Sequence, residues 1–308
     1  MAQATDLVTP LNQSSVRMRF HEGKIQNNQP LLDPNLPNMP GDVSPWYISQ
    51  WNQNSYIFPN PVQANDPNTY DPVLGIAKYA FASADGHAHV WIYQNNGVNT
   101  YELYETGGTL INAGGSNLFL TTDKMTPGSF GRPLTVDFDA KLSKALITGT
   151  PEALQNGIVL SQVFAGFGLM FTDPQTRAQQ FVFLQIGISA TRGGVSRTAQ
   201  FICGGNNTVA LFGPNMNNNE VILPYQSDLG PLHHFHYDMN RYLNDLLNTT
   251  SCNARWTANQ KNPANWTLSG VYIGLETEAA DARNGTVGPP QGVLETGFQI
   301  ANLRLQQH

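Results

Sequence analysis

The stretch GIVLSQVFAGFGLMFTDPQTRAQQFVFLQIGIS, residues 157–189, decides the fold. Two nearly unbroken apolar runs, 157–171 and 179–189, flank the turn signal TDPQTR. Runs of this kind read as two antiparallel strands buried on both faces, the middle of a sandwich. Working towards the N-terminus, LTVDFDAKL (134–142) alternates strictly and VNTYELYE (98–105) is a further strand. HAHVWIYQ (87–94) is joined to VLGIAKYAFASA (73–84) through Asp85-Gly86, and NNG (95–97) makes the next turn. Towards the C-terminus, TAQFICGG and TVALFG pair around GGNN, and VILPY (221–225) is short. HHFHYDM (233–239) runs into the one good helical pattern, with Met239, Leu243, Leu246 and Leu247 on one face. WTLSGVYIGLETE (266–278) and TGFQIANLRL (296–305) complete the strands. The fold class is therefore all-β, an antiparallel β-sandwich of jelly-roll type over residues 71–308. Residues 1–70 are rich in Pro and Asn, and NQPLLDPNLPNMPGD (28–42) excludes a helix. They are expected to form an extended arm packed on the domain.

Charged residues make up 12% of the 308, about half the usual globular share, while 40% are apolar and 10% aromatic. Such a chain folds, and its polarity comes from Asn, Gln, Thr and Ser, which suit strands and turns. The net charge is -6 and no run of Lys or Arg occurs, so nucleic acid and anionic membranes are set aside as partners. No apolar stretch reaches the roughly 20 residues of a membrane span. MAQATDLVTP lacks the apolar run of a signal peptide and reads as a mature secreted start. Composition places the protein in an extracellular or periplasmic setting. Cys203 and Cys252 are open to two readings, one disulfide or two buried thiols. The sequons at Asn206, Asn248, Asn265 and Asn284 are of the number chance produces in so Asn-rich a chain.

Three constellations carry chemistry. In a strand, His87, His89, Trp91 and Tyr93 share a face opposite Ala88, Val90 and Ile92. Flat rings with polar tips suit a sugar, whose CH groups stack while its hydroxyls meet N–H or O–H. A cover of N-terminal chain over the same face is the alternative. His234, His236 and Asp238 share a second face, and the two His-x-His pairs raise a metal ion at His87, His89, His234 and His236; otherwise no cofactor is expected. Carboxylates come close together on strands at Glu102 and Glu105, Asp137 and Asp139, and Glu276 and Glu278. Glycoside hydrolysis uses two carboxyls across a cleft.

The order FHYDMNRYLNDLL (235–247), WTLSGVYIGLETE (266–278), GFQIANLRL (297–305) resembles the concanavalin-like jelly rolls, and in particular family 12 glycoside hydrolases. The resemblance implies that Glu276, in Gly-Leu-Glu, matches the acid/base glutamate. The matching nucleophile position falls on QQFVFLQIG (179–187), which offers Gln180, and Gln forms no glycosyl ester.

Three readings follow. The first is a secreted module recognising polysaccharide or oligosaccharide through Trp91, Tyr93, His87 and His89, with Glu276 and His236 as neighbours. The second is a glycoside hydrolase or polysaccharide lyase on a plant or microbial polysaccharide, with Glu276 and His236 as its catalytic candidates. For a lyase, the suitable residue types are His87, His89, Tyr93, Arg177, Arg192 and Arg197. The third is a fibre, capsid or surface-layer subunit. Oligomeric state is open in all three.

Overall fold

Alternation along the strands builds two layers. The structure, a computed structural model, describes residues 4–11, 16–18, 45–51, 57, 67–83, 86–95, 97–107, 116–122, 125–156, 158–191, 200–204, 207–212, 222–249, 256–279 and 290–308. Sheet A runs in the order β16 (His233–Asp238), β11 (Leu134–Gly149), β18 (Gly292–Gln307), β8 (Val98–Gly107), β7 (Ala88–Asn95), β6 (Tyr79–Ala82), with β1 (Thr5–Asp6) beside the end of β18. Sheet B runs β14 (Gln200–Gly204), β15 (Asn207–Phe212), β13 (Gln179–Ala190), β12 (Leu160–Thr172), β17 (Trp266–Glu278), β9 (Ser116–Thr122), β3 (Trp46–Trp51), β2 (Val16–Met18), with β10 (Gly128–Ser129) on β17. Consecutive strands cross between the layers: β8 to β9, β11 to β12, β17 to β18. The row β11–β18–β8 thus faces β12–β17–β9 in matching order, the rolled ribbon of a jelly roll. Pairing is antiparallel except for β13 with β15 and β2 with β3.

The turns form where Gly occurs in them. Gly86 (φ 74°) and Gly97 (φ 80°) take the left-handed backbone that joins β6 to β7 and β7 to β8. A short helix, α1 (Pro151–Gln155), follows β11, and the helix α2 (Met239–Asn248) buries Met239, Leu243, Leu246 and Leu247 as its spacing predicts. Asp238 accepts from Asn240 N (3.0 Å) and Arg241 N (3.3 Å), so its role is to cap that helix. One core fills the space between the sheets. Val90, Leu103, Phe138 and Ile300 come from sheet A, and Ile48, Leu120, Phe167, Leu184 and Ile273 from sheet B. Each such side chain contributes about 1.5–3 kcal/mol by leaving water.

Two expectations need correction. Part of the first 70 residues is sandwich, not arm. β1 hydrogen-bonds to β18, β3 to β9, and Leu7, Val8, Leu11, Trp46 and Ile48 lie in the core. Trp46 Nε1 donates to Thr9 O at 2.8 Å, tying the segments together. Residues 28–42 lie outside the described residues. The second correction concerns β13, which is not buried on both faces. Val182, Leu184 and Ile186 are in the core, but Phe183 is 37% exposed and Phe181 and Gln185 are half-buried. Periodicity cannot separate two-faced burial from an aromatic outer face, because Phe scores as apolar in both.

Candidate functional site

The aromatic and histidine row on β7 does share the outer face of sheet A, but that face is shut. His89 is buried and sandwiched between the rings of Trp91 (3.8 Å) and Tyr104 (4.2 Å). Its Nε2 meets Glu102 Oε1 at 3.2 Å, and Tyr93, 1% exposed, donates its hydroxyl to Glu102 Oε2 at 3.3 Å. Gln299 Nε2 donates to both Glu102 Oε2 (2.6 Å) and Asp71 Oδ2 (3.0 Å). Lys141 Nζ, almost fully buried, lies 3.4 Å from Asp71 Oδ2 and donates to Gly230 O at 2.9 Å. Two segments form the cover. One is the hairpin β4 (Tyr70–Asp71) with β5 (Gly75–Ile76); the other is the loop around Gly230. Asp71 anchors the hairpin, accepting from Val73 N and Leu74 N at 2.8 Å each. Burial acts to raise the Asp71 pKa, but the bonds from Gln299, Leu74 and Val73 and the Lys141 charge outweigh it and hold it below its ordinary value. Burial pushes the His89 pKa down, opposed by Glu102, so the ring stays neutral and donates its Nε2–H.

Tyr93 and His89 are thus interior network members and present no stacking surface. Of the β7 rings only Trp91 is half-exposed, and His87, just before the strand, is half-buried with Nδ1 2.8 Å from Thr106 Oγ1. Glu276 is not a neighbour of this row, because it lies on β17 in the other sheet. His236 is in sheet A but on β16, with β11, β18 and β8 between it and β7. At about 4.8 Å per strand the two His-x-His pairs stand far too widely apart to share one ion. His234 Nδ1 meets Asp139 Oδ1 (2.8 Å) and His236 Nδ1 meets Asp137 Oδ1 (2.7 Å), an exposed ladder across β16 and β11. Among the described residues no group of three or more His, Cys, Asp or Glu is arranged to hold a metal ion.

The open aromatic surface is the outer face of sheet B. Register places Gln185 (β13), Gly166 (β12) and Tyr272 (β17) in one row across the strands, and Phe183, Gly168 and Gly270 in the next. Phe164, Gly274 and Phe119 form the row on the other side, followed by Gln162, Glu276 and Asn117. Rings lie over glycines. A Cβ on Gly166 would stand 2.0 Å from Tyr272 Cζ, and one on Gly274 3.0 Å from Phe119 Cδ1. Tyr272 meets Phe119, Phe164 and Phe183 edge to face at 5.4, 5.9 and 6.1 Å. Phe119 and Phe164 are buried beneath this pavement, while Tyr272, Phe181 and Met170 are half-buried and Phe183 is exposed.

Polar groups punctuate the pavement. Gln185 Nε2 donates to Tyr272 Oη (3.0 Å), and burial pushes that phenol up to about 12. Gln162 Nε2 donates to Glu276 Oε2 at 2.7 Å. Burial raises the Glu276 pKa above its ordinary value, and the Gln162 bond only partly opposes this. The residue facing Glu276 is therefore Gln162, not Gln180. Gln180 lies at the far end of the sheet, hydrogen-bonded to Gln260. Glu278 shares the face but stands beside Glu276 along the same strand, not across a cleft from it. Glu102 and Glu105 are on opposite faces, Glu105 inside with Ser116 Oγ at 2.8 Å. Arg177 sits in the β12–β13 turn, and Arg192 and Arg197 lie outside the described residues. So does Cys252, and with it the question of a disulfide.

Sequence reasoning missed Tyr272, Phe183, Phe181 and Gln162. A usable signal existed: Gly166, Gly168, Gly270 and Gly274 recur where a core strand would carry bulk, which marks close approach by neighbouring side chains.

No family model and no curated protein matches the chain. Solved structures of similar outline include cellulases and a xylanase. One is a thermostable Cel12A cellulase derived from that of Rhodothermus marinus, with 11% identity over 74% of this chain and 92% of that one and a TM-score of 0.36. Endoglucanase 3 of Trichoderma harzianum, from family GH12, matches at 8% identity over 83% and 97%, TM-score 0.35. The family 11 xylanase of Neocallimastix patriciarum matches at 9% over 85% and 100%, TM-score 0.34. Likeness at this level carries no argument about activity. No helix among the described residues is long and apolar enough to cross a membrane.

Proposed function

We propose that the protein binds poly- or oligosaccharide on the outer face of sheet B. One observation carries this reading: half-exposed and exposed rings, Tyr272, Phe181 and Phe183, interleave with Gln185, Gln162 and Glu276 on one strand face. Sugars need both components, ring faces for CH stacking and amides or carboxyls for hydroxyls. The Glu276 carboxyl accepts hydrogen bonds from sugar hydroxyls and donates one in its acid form. The low charge and Asn-rich composition support an extracellular or periplasmic setting.

Glu276 also favours a second reading, glycoside hydrolysis, since a half-buried carboxyl with a raised pKa is suited to general acid work. Gln162 opposite it cannot serve as nucleophile or base, so this reading needs a carboxylate brought from another part of the chain. A polysaccharide panel of glucans, xylans, mannans and uronate polymers tests both. Retention on an insoluble polymer, lost in Tyr272→Ala and Phe183→Ala, supports binding. New reducing ends, lost in Glu276→Gln, establish hydrolysis, and unsaturated uronate absorbance establishes a lyase. Silence on every polymer overturns the carbohydrate reading in favour of an assembly role.

A further inference from the structure

Residues 222–232 bridge the two sheets beside the edge strand β16. Leu223 N donates to Ile188 O (3.0 Å) on β13, and Asp228 N donates to Leu142 O (2.7 Å) on β11. The β11–β16 ladder ends at Ala140 with His233, so the sandwich is open at this point of its flank. Behind the bridging segment lies a cavity of about 280 Å³. Its wall is apolar, with Leu142, Leu223 and Pro224; its lip is polar, with Gln226, Asp228 and His233.

The lip is rich in acceptors. Asp228 Oδ1 accepts from Gly230 N (2.7 Å) and Oδ2 accepts from His233 Nε2 (2.7 Å). A carboxylate has about four lone-pair sites, so roughly two remain. The Gly230 amide, and then His233, hold the Asp228 carboxyl below its ordinary value, and it is ionised at neutral pH. Lys141, behind Gly230, lies 3.4 Å from Asp71 Oδ2, and its charge also reaches Asp228. The lip therefore sets an ionised carboxylate with lone pairs to spare beside an apolar recess.

We propose that this cavity binds a small primary amine on a compact apolar body, the ammonium at Asp228 and the body against Leu142, Leu223 and Pro224. Size agrees, because a dry cavity of about 150 Å³ already admits benzene. The site is separate from the pavement on sheet B and does not depend on the carbohydrate reading.

Calorimetric titration of the full chain with phenethylamine, 2-phenylethanol and phenylacetate tests it. Phenethylamine should bind at least about tenfold tighter than phenylacetate, with the alcohol between them. Asp228→Asn should erase the difference between amine and alcohol, and Leu223→Phe, which fills the recess, should abolish binding of all three. Leu223 is a core residue, so if that variant does not fold, the Asp228→Asn comparison decides alone. No saturable heat with millimolar phenethylamine, equal affinity for the carboxylate, or an unchanged amine preference in Asp228→Asn each overturns the proposal.

Discussion

The outer faces of the two sheets are built from similar residues and finish in opposite states. On sheet A, His89, Trp91, Tyr93, Glu102 and Tyr104 are rings and carboxyls at alternate positions. On sheet B the same types appear as Phe183, Gln185, Tyr272 and Glu276. Sheet A carries a buried ion pair beneath a hairpin and a loop, and the polar groups around it bond to one another, Gln299 Oε1 excepted. Sheet B carries glycines, so the Tyr272 ring settles against Gly166 and the Phe181 ring against Gly168, supported from below instead of covered from above. Residue type therefore does not decide whether an aromatic face is available. The availability of internal partners does.

The largest effect should come from opening the covered face. Asp71→Ala leaves the Lys141 ammonium buried without its carboxylate and should cost about 3–5 kcal/mol of stability in urea unfolding. A loss under about 1 kcal/mol would show that Lys141 reaches water and that the cover is loose. On the open face, Gly166→Ala drives a methyl into the Tyr272 ring and should cost about 1–3 kcal/mol. Glycan binding should fall with it, because the ring must lift and part from Gln185. Phe183→Ala should change stability by no more than about 0.5 kcal/mol, the surface value. It should nonetheless weaken glycan binding by about 2 kcal/mol, as an anchor does. Equal losses in folding and binding would make Phe183 a packing residue.

The two faces should also differ in the sign of their pH response. His89 has a pKa lowered from 6.5, so between that value and its folded one the unfolded chain binds more protons. Its contribution to stability is present above pH 6.5 and is lost as pH falls. Glu276 has a pKa raised from 4.5, so above that value the folded chain holds the extra proton. Its contribution is lost as pH rises. His89→Gln should flatten the acid side of the stability profile, and Glu276→Gln should be neutral near pH 4 and stabilising at pH 8, both followed by melting temperature. The opposite sign in either variant would reverse the assignment of that face. Smallest of all, Trp91→Ala should leave glycan binding unchanged, and a clear loss would move the binding surface back to sheet A.

Much of this molecule was legible in the chain. The turn signals at Gly86 and Gly97, the hairpin around TDPQTR, the strand entering α2 and the closing strands β17 and β18 all follow from local pattern, because backbone conformation and side-chain alternation are short-range properties. The choice of Glu276 as a residue of interest also came from sequence, through family resemblance. Local pattern could not say which alternate face would be covered. The cover on β7 comes from Asp71, Lys141 and Gln299, which are distant in the chain and meet only when the strands roll up. Nor could it pair Glu276 with Gln162, since cross-strand register is set by the whole sheet. Local chemistry alone determined that this chain makes an antiparallel sandwich with one strand face of rings and histidines at 87–93. Tertiary structure decided which face is closed, because closing it takes charges and amides that only long-range packing brings within hydrogen-bonding distance.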